Sequence, residues 1–460
     1  MIAFLVFARK HIEGITLSSI AAASAILHLL PFLFYGAHPL GYDTGFYRRY
    51  LTEPFISFPN APVPGLGDGA LVPRVVLDTL RLLPLSADTI LYGSYITLFA
   101  ALPALLYVFI KPRLGVRGAT IAAFLVTLSS VQYEFFKYML WKNALALCLL
   151  MLAFIALERR WTLALLALDI GIALSHKTTA IIYILTLAVL FIVRSKDRPR
   201  IALHGFLTFA CFAVVNTSFA HQIQLSSPVA VFLDWQEYIV FSIPFLVVIM
   251  SAIHGWRGFK IPLVFASFAF ISFLFPLLRL PFYERIFIFS DIAIAVCAAY
   301  AIEYMFSQID LSRLALRAYL YIGTLCIAGG LLLGTLWNQT ATLRPLISEA
   351  EINHIVAIST IIPNDATILT TSDEAPWFEG WTQQHVAAPG MLRDVHNLEE
   401  WTALWNSTSS EAQIAFLGDL PQPLYISTFN GFENLIGEPA DCLTRITPYL
   451  LHNTCSVEKK

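Results

Sequence analysis

A helix that crosses a bilayer needs about twenty mostly apolar residues, because the hydrocarbon layer is about 30 Å thick. This sequence repeats such a stretch eleven times: 13–35, 88–110, 118–135, 140–157, 161–176, 178–193, 201–219, 236–254, 260–278, 286–306 and 318–337. The expected fold is an α-helical polytopic membrane bundle of about 11 transmembrane helices. Composition agrees, since 13% of the residues are charged, against about a quarter in a soluble domain, and mean hydropathy is +0.69. The fifth and sixth stretches are short and meet at Ser175-His176-Lys177. The first is longer than a signal-peptide core and a membrane-bound chain follows it, so it reads as an uncleaved anchor.

Cytoplasmic loops collect Lys and Arg. With the N-terminus inside, the inner segments hold fifteen cations, from Arg9 and Lys10 through Lys111, Arg113, Arg117, Arg159, Arg160 and Arg194 to Arg313 and Arg317. The outer segments before the tail hold nine: Arg48, Arg49, Arg74, Arg81, Lys137, Lys142, Lys177, Arg279 and Arg285. The orientation expected is N-terminus cytoplasmic and C-terminal tail extracytoplasmic. Most of the outer cations cluster at helix ends against the positive-inside bias, which suits anion binding; the plain alternative is snorkelling to lipid phosphates.

Residues 1–338 are therefore expected to form a polytopic transmembrane domain with a long outer loop, 36–87. Within that loop, 44–52 and 71–83 show helical spacing, as surface-lying amphipathic helices would. Residues 339–460 turn polar and alternate helix-like and strand-like segments, which predicts a small C-terminal extramembrane α/β domain. Ser348 with Glu351 opens a helix; 366–371 and 423–427 read as strands, and 396–406 as a helix. Cys148, Cys211, Cys297 and Cys326 sit in apolar runs, whereas Cys442 and Cys455 lie in the tail. In an oxidising compartment those two are expected to form a disulfide.

The outward polar groups are the clue to chemistry. The first loop supplies Asp43, Arg48 and Arg49. Later turns supply Tyr133, Glu134, Lys137, Lys142 and Asn143, then His176 and Lys177, then Arg279, Tyr283, Glu284 and Arg285, with Asp291 deeper. Converging on one cavity, such groups suit sugar transfer from a polyprenyl-phosphate donor. Arg and Lys stabilise the departing phosphate, a carboxylate takes the acceptor proton, and the prenyl chain stays in lipid. Asp43 is the candidate base, with a second reading as a turn or helix cap. Arg48, Arg49, Glu134, Lys137, His176, Lys177, Arg279 and Arg285 are the candidate substrate-binding residues. Glu134 has a structural reading as the partner of Lys137, and His176 one as a helix-end residue. Trp377 and Trp381 suit carbohydrate stacking, or alternatively seal the tail domain. The sequence has no HExxH or CxxC spacing, so the metal ligands are unknown.

The first-loop acid after an N-inside helix, and the segment Arg279-Leu280-Pro281-Phe282-Tyr283-Glu284-Arg285-Ile286-Phe287-Ile288-Phe289-Ser290-Asp291, resemble the GT-C superfamily of integral-membrane glycosyltransferases. The resemblance is to the group containing protein O-mannosyltransferases and the aminoarabinose transferase of lipid A. It implies a catalytic or metal-associated role for Asp43, a phosphate contact for Arg285, and a possible divalent cation as cofactor. Thr44 stands where several of these families carry a second acid, a departure that bears on metal dependence.

The expected partners are a polyprenyl-phosphate-linked sugar donor, a glycan, lipid or protein acceptor, and membrane lipids; nothing in the charge pattern calls for nucleic acid. Two other readings stay open: a transporter or flippase of lipid-linked sugars, and a non-catalytic membrane assembly factor. Against transport, Asp169 and Asp291 are almost alone at mid-membrane depth, and no paired interrupted helices stand out.

Overall fold

The computed structural model describes residues 2–36, 41, 43–52, 71–215, 233–252, 261–280, 282–308, 316–389, 396–406, 410–427 and 442–454. They fall into two compact units. Unit 1 takes Met1–Gly36, Asp68–Val76 and Tyr92–Arg344; unit 2 takes Ala37–Gly67, Leu77–Leu91 and Pro345–Lys460. This division differs from a linear split at 338/339, because most of the first outer loop groups with the tail.

Unit 1 is helical. Its elements are α1 (Ile2–Tyr35), the first half of α3 (Leu71–Leu80), most of α4 (Ala87–Thr127), α5 (Ser130–Lys137), α6 (Trp141–Arg159), α7 (Thr162–Ala173), α8 (Lys177–Val193), α9 (Arg198–Val215), α10 (Trp235–Ser251), α11 (Leu263–Leu277), α12 (Tyr283–Gln308) and α13 (Leu316–Thr342). Among the described residues, six helices are long and apolar enough to cross a membrane by length and composition. Four more apolar helices, α7, α8, α10 and α11, have 12, 17, 17 and 15 residues. Leu163, Ile192, Phe206 and Val214 point their side chains out of the bundle, as lipid-facing groups do. Helix α12 runs through the core, with Phe287, Ile292, Ala295 and Val296 fully buried.

Two breaks shape this bundle. In α4, Gly115 has φ 72° and ψ −178°, a conformation that only glycine adopts without strain, so α4 is two helices joined there. The second half ends at Thr127 rather than running to 135. Ser129 caps a new helix, α5, by accepting the Val131 and Gln132 N–H groups at 3.1 and 3.3 Å. The same Ser129 hydroxyl donates to Asp291 Oδ2 at 2.8 Å, and Gln132 Nε2 donates to that oxygen at 2.8 Å. The other deep acid, Asp169, takes the Tyr183 hydroxyl at 2.8 Å and faces His204 Nδ1 at 2.6 Å. Both buried carboxylates thus receive polar partners from neighbouring helices, as a charge in such surroundings needs.

Unit 2 contains α2 (Thr44–Thr52), α14 (Glu349–Ile361), α15 (Ala375–Trp381), α16 (Leu398–Asn406) and α17 (Ser410–Asp419) around a sheet. The strands are β1 (Thr367–Leu369), β2 (His385–Ala387), β3 (Leu424–Ser427), β4 (Leu443–Thr447) and β5 (Leu450–Asn453), in the order β2-β1-β3-β5-β4. β1 runs parallel to both β2 and β3, while β5 is antiparallel to β3 and β4. Period-two alternation puts Ile368 against Ile355, Ile358, Trp377 and Phe378 on one face. Leu369, Leu424 and Ile426 meet Trp401 and Leu417 on the other, so helices cover both faces. The capping box expected at Ser348 and Glu351 opens α14. Strands β2, β4 and β5 are not among the strands expected from the sequence; the β4 burial pattern, with Thr444, Arg445 and Ile446 exposed, lacks the apolar run that marks β1 and β3.

Helix α2, expected as a surface-lying amphipathic helix, has a protein partner. Seven of its nine residues are buried, because it packs against α15. Gly45 and Gly380 make this possible: a Cβ on Gly45 would sit 1.6 Å from the Pro376 carbonyl oxygen, and one on Gly380 would sit 2.5 Å from Gly45 Cα.

Candidate functional site

Asp43 belongs to unit 2 and opens α2. Its carbonyl accepts the Tyr47 N–H at 3.2 Å, and the chain reaches it through a turn closed by Thr44 N–H to Gly41 carbonyl at 3.1 Å. The position combines a helix start with a half-buried carboxylate.

Arg48 and Arg49, expected to bind substrate, are engaged elsewhere. The Arg48 Nε donates to Asp88 Oδ1 at 2.8 Å, its Nη1 donates to the Gly380 carbonyl, and its guanidinium lies 4.6 Å from the Trp381 ring centre. Arg49 donates to the Thr382 and Gln383 carbonyls at 2.5 and 3.1 Å and is almost fully buried. Both side chains bind the carbonyl-rich end of α15, where a cation is electrostatically favoured. These contacts dock α2 on α15. Trp377 is likewise corrected: it is buried in the sheet core beside Ile355 and Ile358, leaving no face for a sugar. Trp381 is only partly buried, with the Arg48 guanidinium on its ring. Cys442 is disulfide-bonded. Cys455 lies outside the described residues; Thr454, beside it, donates its N–H and hydroxyl to the Cys442 carbonyl at 2.8 and 2.6 Å.

Unit 1 supplies the charge cluster. His176 is the N-cap of α8, its Nδ1 lying 2.9 Å from Thr179 Oγ1 and accepting the Thr179 N–H at 3.4 Å. That assignment puts the ring proton on Nε2, free to act as a donor. The ring is buried, and the charges of Lys142, Arg285 and Lys177 all act on it. Lys142 stands at the start of α6, Lys177 at the start of α8 and Arg285 in the first turn of α12. Three helix starts, each at the positive end of a helix dipole, therefore contribute cations that act on His176. Helix α3 reaches the same turn, with Val72 N–H donating to the Leu174 carbonyl at 3.1 Å. Lys142 was visible among the outward polar groups, but its tie to His176 comes from packing.

Glu134 and Lys137 pair with each other, Nζ lying 2.7 and 2.9 Å from the two carboxylate oxygens, and Gln339 Nε2 adds a bond of 2.9 Å to Glu134. Their structural reading accounts for these contacts. Arg279 is exposed in the turn before α12, with φ 48°.

No group of three or more His, Cys, Asp or Glu side chains suited to a metal ion occurs among the described residues. Thr44, where related families carry a second acid, is buried and offers no charge. The donor set for a divalent cation is therefore not assembled among the described residues.

No family model and no curated protein matches the chain. Solved structures do. ArnT from Cupriavidus metallidurans, bound to undecaprenyl phosphate, superposes with a TM-score of 0.58 at 13% identity, over 95% of this chain and 98% of that one. Its apo state gives 0.55 at 14% identity, over 95% and 97%. The oligosaccharyltransferase of Archaeoglobus fulgidus, in complex with zinc and sulfate, gives 0.63 at 13% identity, over 90% of this chain and 68% of that one. At such identities the likeness is one of fold, and it extends over nearly the whole chain.

Proposed function

We propose that this protein is an integral membrane glycosyltransferase that moves a sugar from a polyprenyl-phosphate-linked donor to an acceptor at the outer face of the membrane. The observation that carries the reading is the convergence of Lys142, His176, Lys177 and Arg285 at three helix N-termini in unit 1. An anionic group entering there meets three cations and an imidazole N–H, with little reorganisation needed as charge develops. ArnT, which shares the fold, was solved with undecaprenyl phosphate bound.

In this reading Asp43 accepts the acceptor's hydroxyl proton as that oxygen attacks the anomeric carbon. The bond from the anomeric carbon to the phosphate oxygen breaks, and the phosphate leaves with the electron pair. Arg285, Lys142, Lys177 and His176 hold the added negative charge. Asp43 belongs to unit 2 and Arg285 to unit 1.

The test is mass spectrometry of lipid-linked glycans and surface polymers from cells with the protein, without it, and with Arg285→Ala. A transferase leaves a glycosylated carrier accumulating and one glycan modification missing in both defective strains. Loss of the modification with the carrier-linked sugar confined to the inner leaflet would point to a flippase instead.

A further inference from the structure

Away from the His176 cluster, unit 1 holds a cavity of about 340 Å³ between the α4 break, the C-terminal end of α6 and the start of α11. Val108, Phe109, Ile155 and Pro262 give it an apolar wall, and Arg113 and Arg159 line it with cations. The neighbouring cations are paired: Lys111 with Glu13 at 2.6 Å, Arg117 with Glu303 at 2.5 Å, Arg160 with Asp197 at 3.4 Å, and Arg194 with Glu158 at 2.6 Å. Neither Arg113 nor Arg159 has a carboxylate in ion-pair reach among the described residues; Arg159 lies instead 5.1 Å from the Trp161 ring centre. Glu158, which also lines the cavity and would repel an anion, is held by Arg194.

We infer that this cavity binds the phosphate of an anionic phospholipid from the adjoining leaflet. Two guanidinium groups suit a phosphodiester, and the apolar wall suits the glycerol and upper acyl chain. Helix α11 starts at the cavity, where Pro262 is both a lining residue and its N-cap, with no side-chain cap. Trp161 and Leu163, just beyond Arg159, are exposed apolar groups of the kind found where headgroups meet acyl chains. A zwitterionic lipid fits less well, because the one carboxylate able to take its ammonium is already paired. The inference is independent of the transfer reaction.

The experiment is native mass spectrometry of the full chain in detergent, offered equal amounts of phosphatidylglycerol and phosphatidylcholine. Wild type should retain phosphatidylglycerol preferentially, at about fivefold per arginine. The double variant R113A/R159A should lose that preference, while Lys196→Ala, which removes a cation outside the cavity, should keep it. Equal retention of both lipids by wild type, or an undiminished preference in the double variant, overturns the inference. So does displacement of the lipid by inorganic phosphate, which would mark a site for soluble anions. If the double variant does not fold, a photoreactive phosphatidylglycerol on the unaltered chain decides. Label on the peptides carrying Arg113 or Arg159 supports the site, and label only elsewhere overturns it.

Discussion

In the proposed reaction Asp43 and Arg285 have different roles, so their variants should separate. Asp43→Asn keeps size and hydrogen bonding but removes the basic oxygen. Turnover should fall about a hundredfold to ten-thousandfold, with donor affinity and folding intact; normal glycan output from this variant would remove Asp43 from the chemistry. Arg285→Ala should weaken donor binding and rate together, because the phosphate is charged when bound and more charged on leaving. Lys142→Ala should behave like Arg285→Ala. Arg48→Ala should instead act on stability, with the sugar-transfer rate per folded molecule unchanged, since its guanidinium is held by Asp88 and α15. Equal effects of Arg48→Ala and Arg285→Ala on that rate would reverse the assignment. Inside the bundle, His204→Ala leaves Asp169 Oδ2 without its nearest polar partner. A loss of about 1–3 kcal/mol is expected, measured as a lower unfolding midpoint in detergent.

At the scale of elements, the junction of α2 and α15 rests on Gly45 and Gly380. Gly45→Ala would force a Cβ into the Pro376 carbonyl, and overpacking of this kind costs about 1–3 kcal/mol or more. The variant should become protease-sensitive in the tail. Gly93→Ala, whose Cβ meets nothing within 4 Å, is the control and should leave the digestion pattern unchanged. Periodicity made α2 legible in the sequence, because Phe46, Tyr50 and Leu51 recur at helical spacing. Its burial was not, since that depends on a glycine pair set apart by most of the chain. The same limit applies to Arg48 and Arg49: adjacent cations near an acid suggest an anion site, and only the fold reveals the carbonyl groups they contact. The end of the second half of α4 was missed for a local reason, as the Ser129 cap sits inside a run apolar enough to read straight through.

For the whole molecule, charge asymmetry in the loops predicts a cytoplasmic N-terminus and an extracytoplasmic tail. A reporter active only in the cytosol, fused after Lys460, should be silent; a strong signal would place the tail inside and remove the outer site. The companion measurement is thiol labelling of the unreduced, denatured protein. Cys442 and Cys455 should both resist, while Cys148, Cys211, Cys297 and Cys326, free in the structure, should react. Full labelling of both tail cysteines would count against their bond and against an oxidising compartment. The overall class was readable because apolar length is a strong signal. The cation cluster was only half readable: its members stand at helix starts throughout the sequence, and nothing local says which starts meet.

The packing of α2 on α15 also bears on how the chain is made. A nine-residue helix does not hold itself together in water, and its partner follows about 320 residues later, on the order of tens of seconds of synthesis at ~5–20 residues per second. Through that interval the segment beginning at Thr44 has left the ribosome with its aromatic face uncovered. A chain released before Ala375 would never acquire the surface that covers it. Quality control that recognises exposed aromatic helices would therefore sense, at the start of the protein, whether its end has arrived.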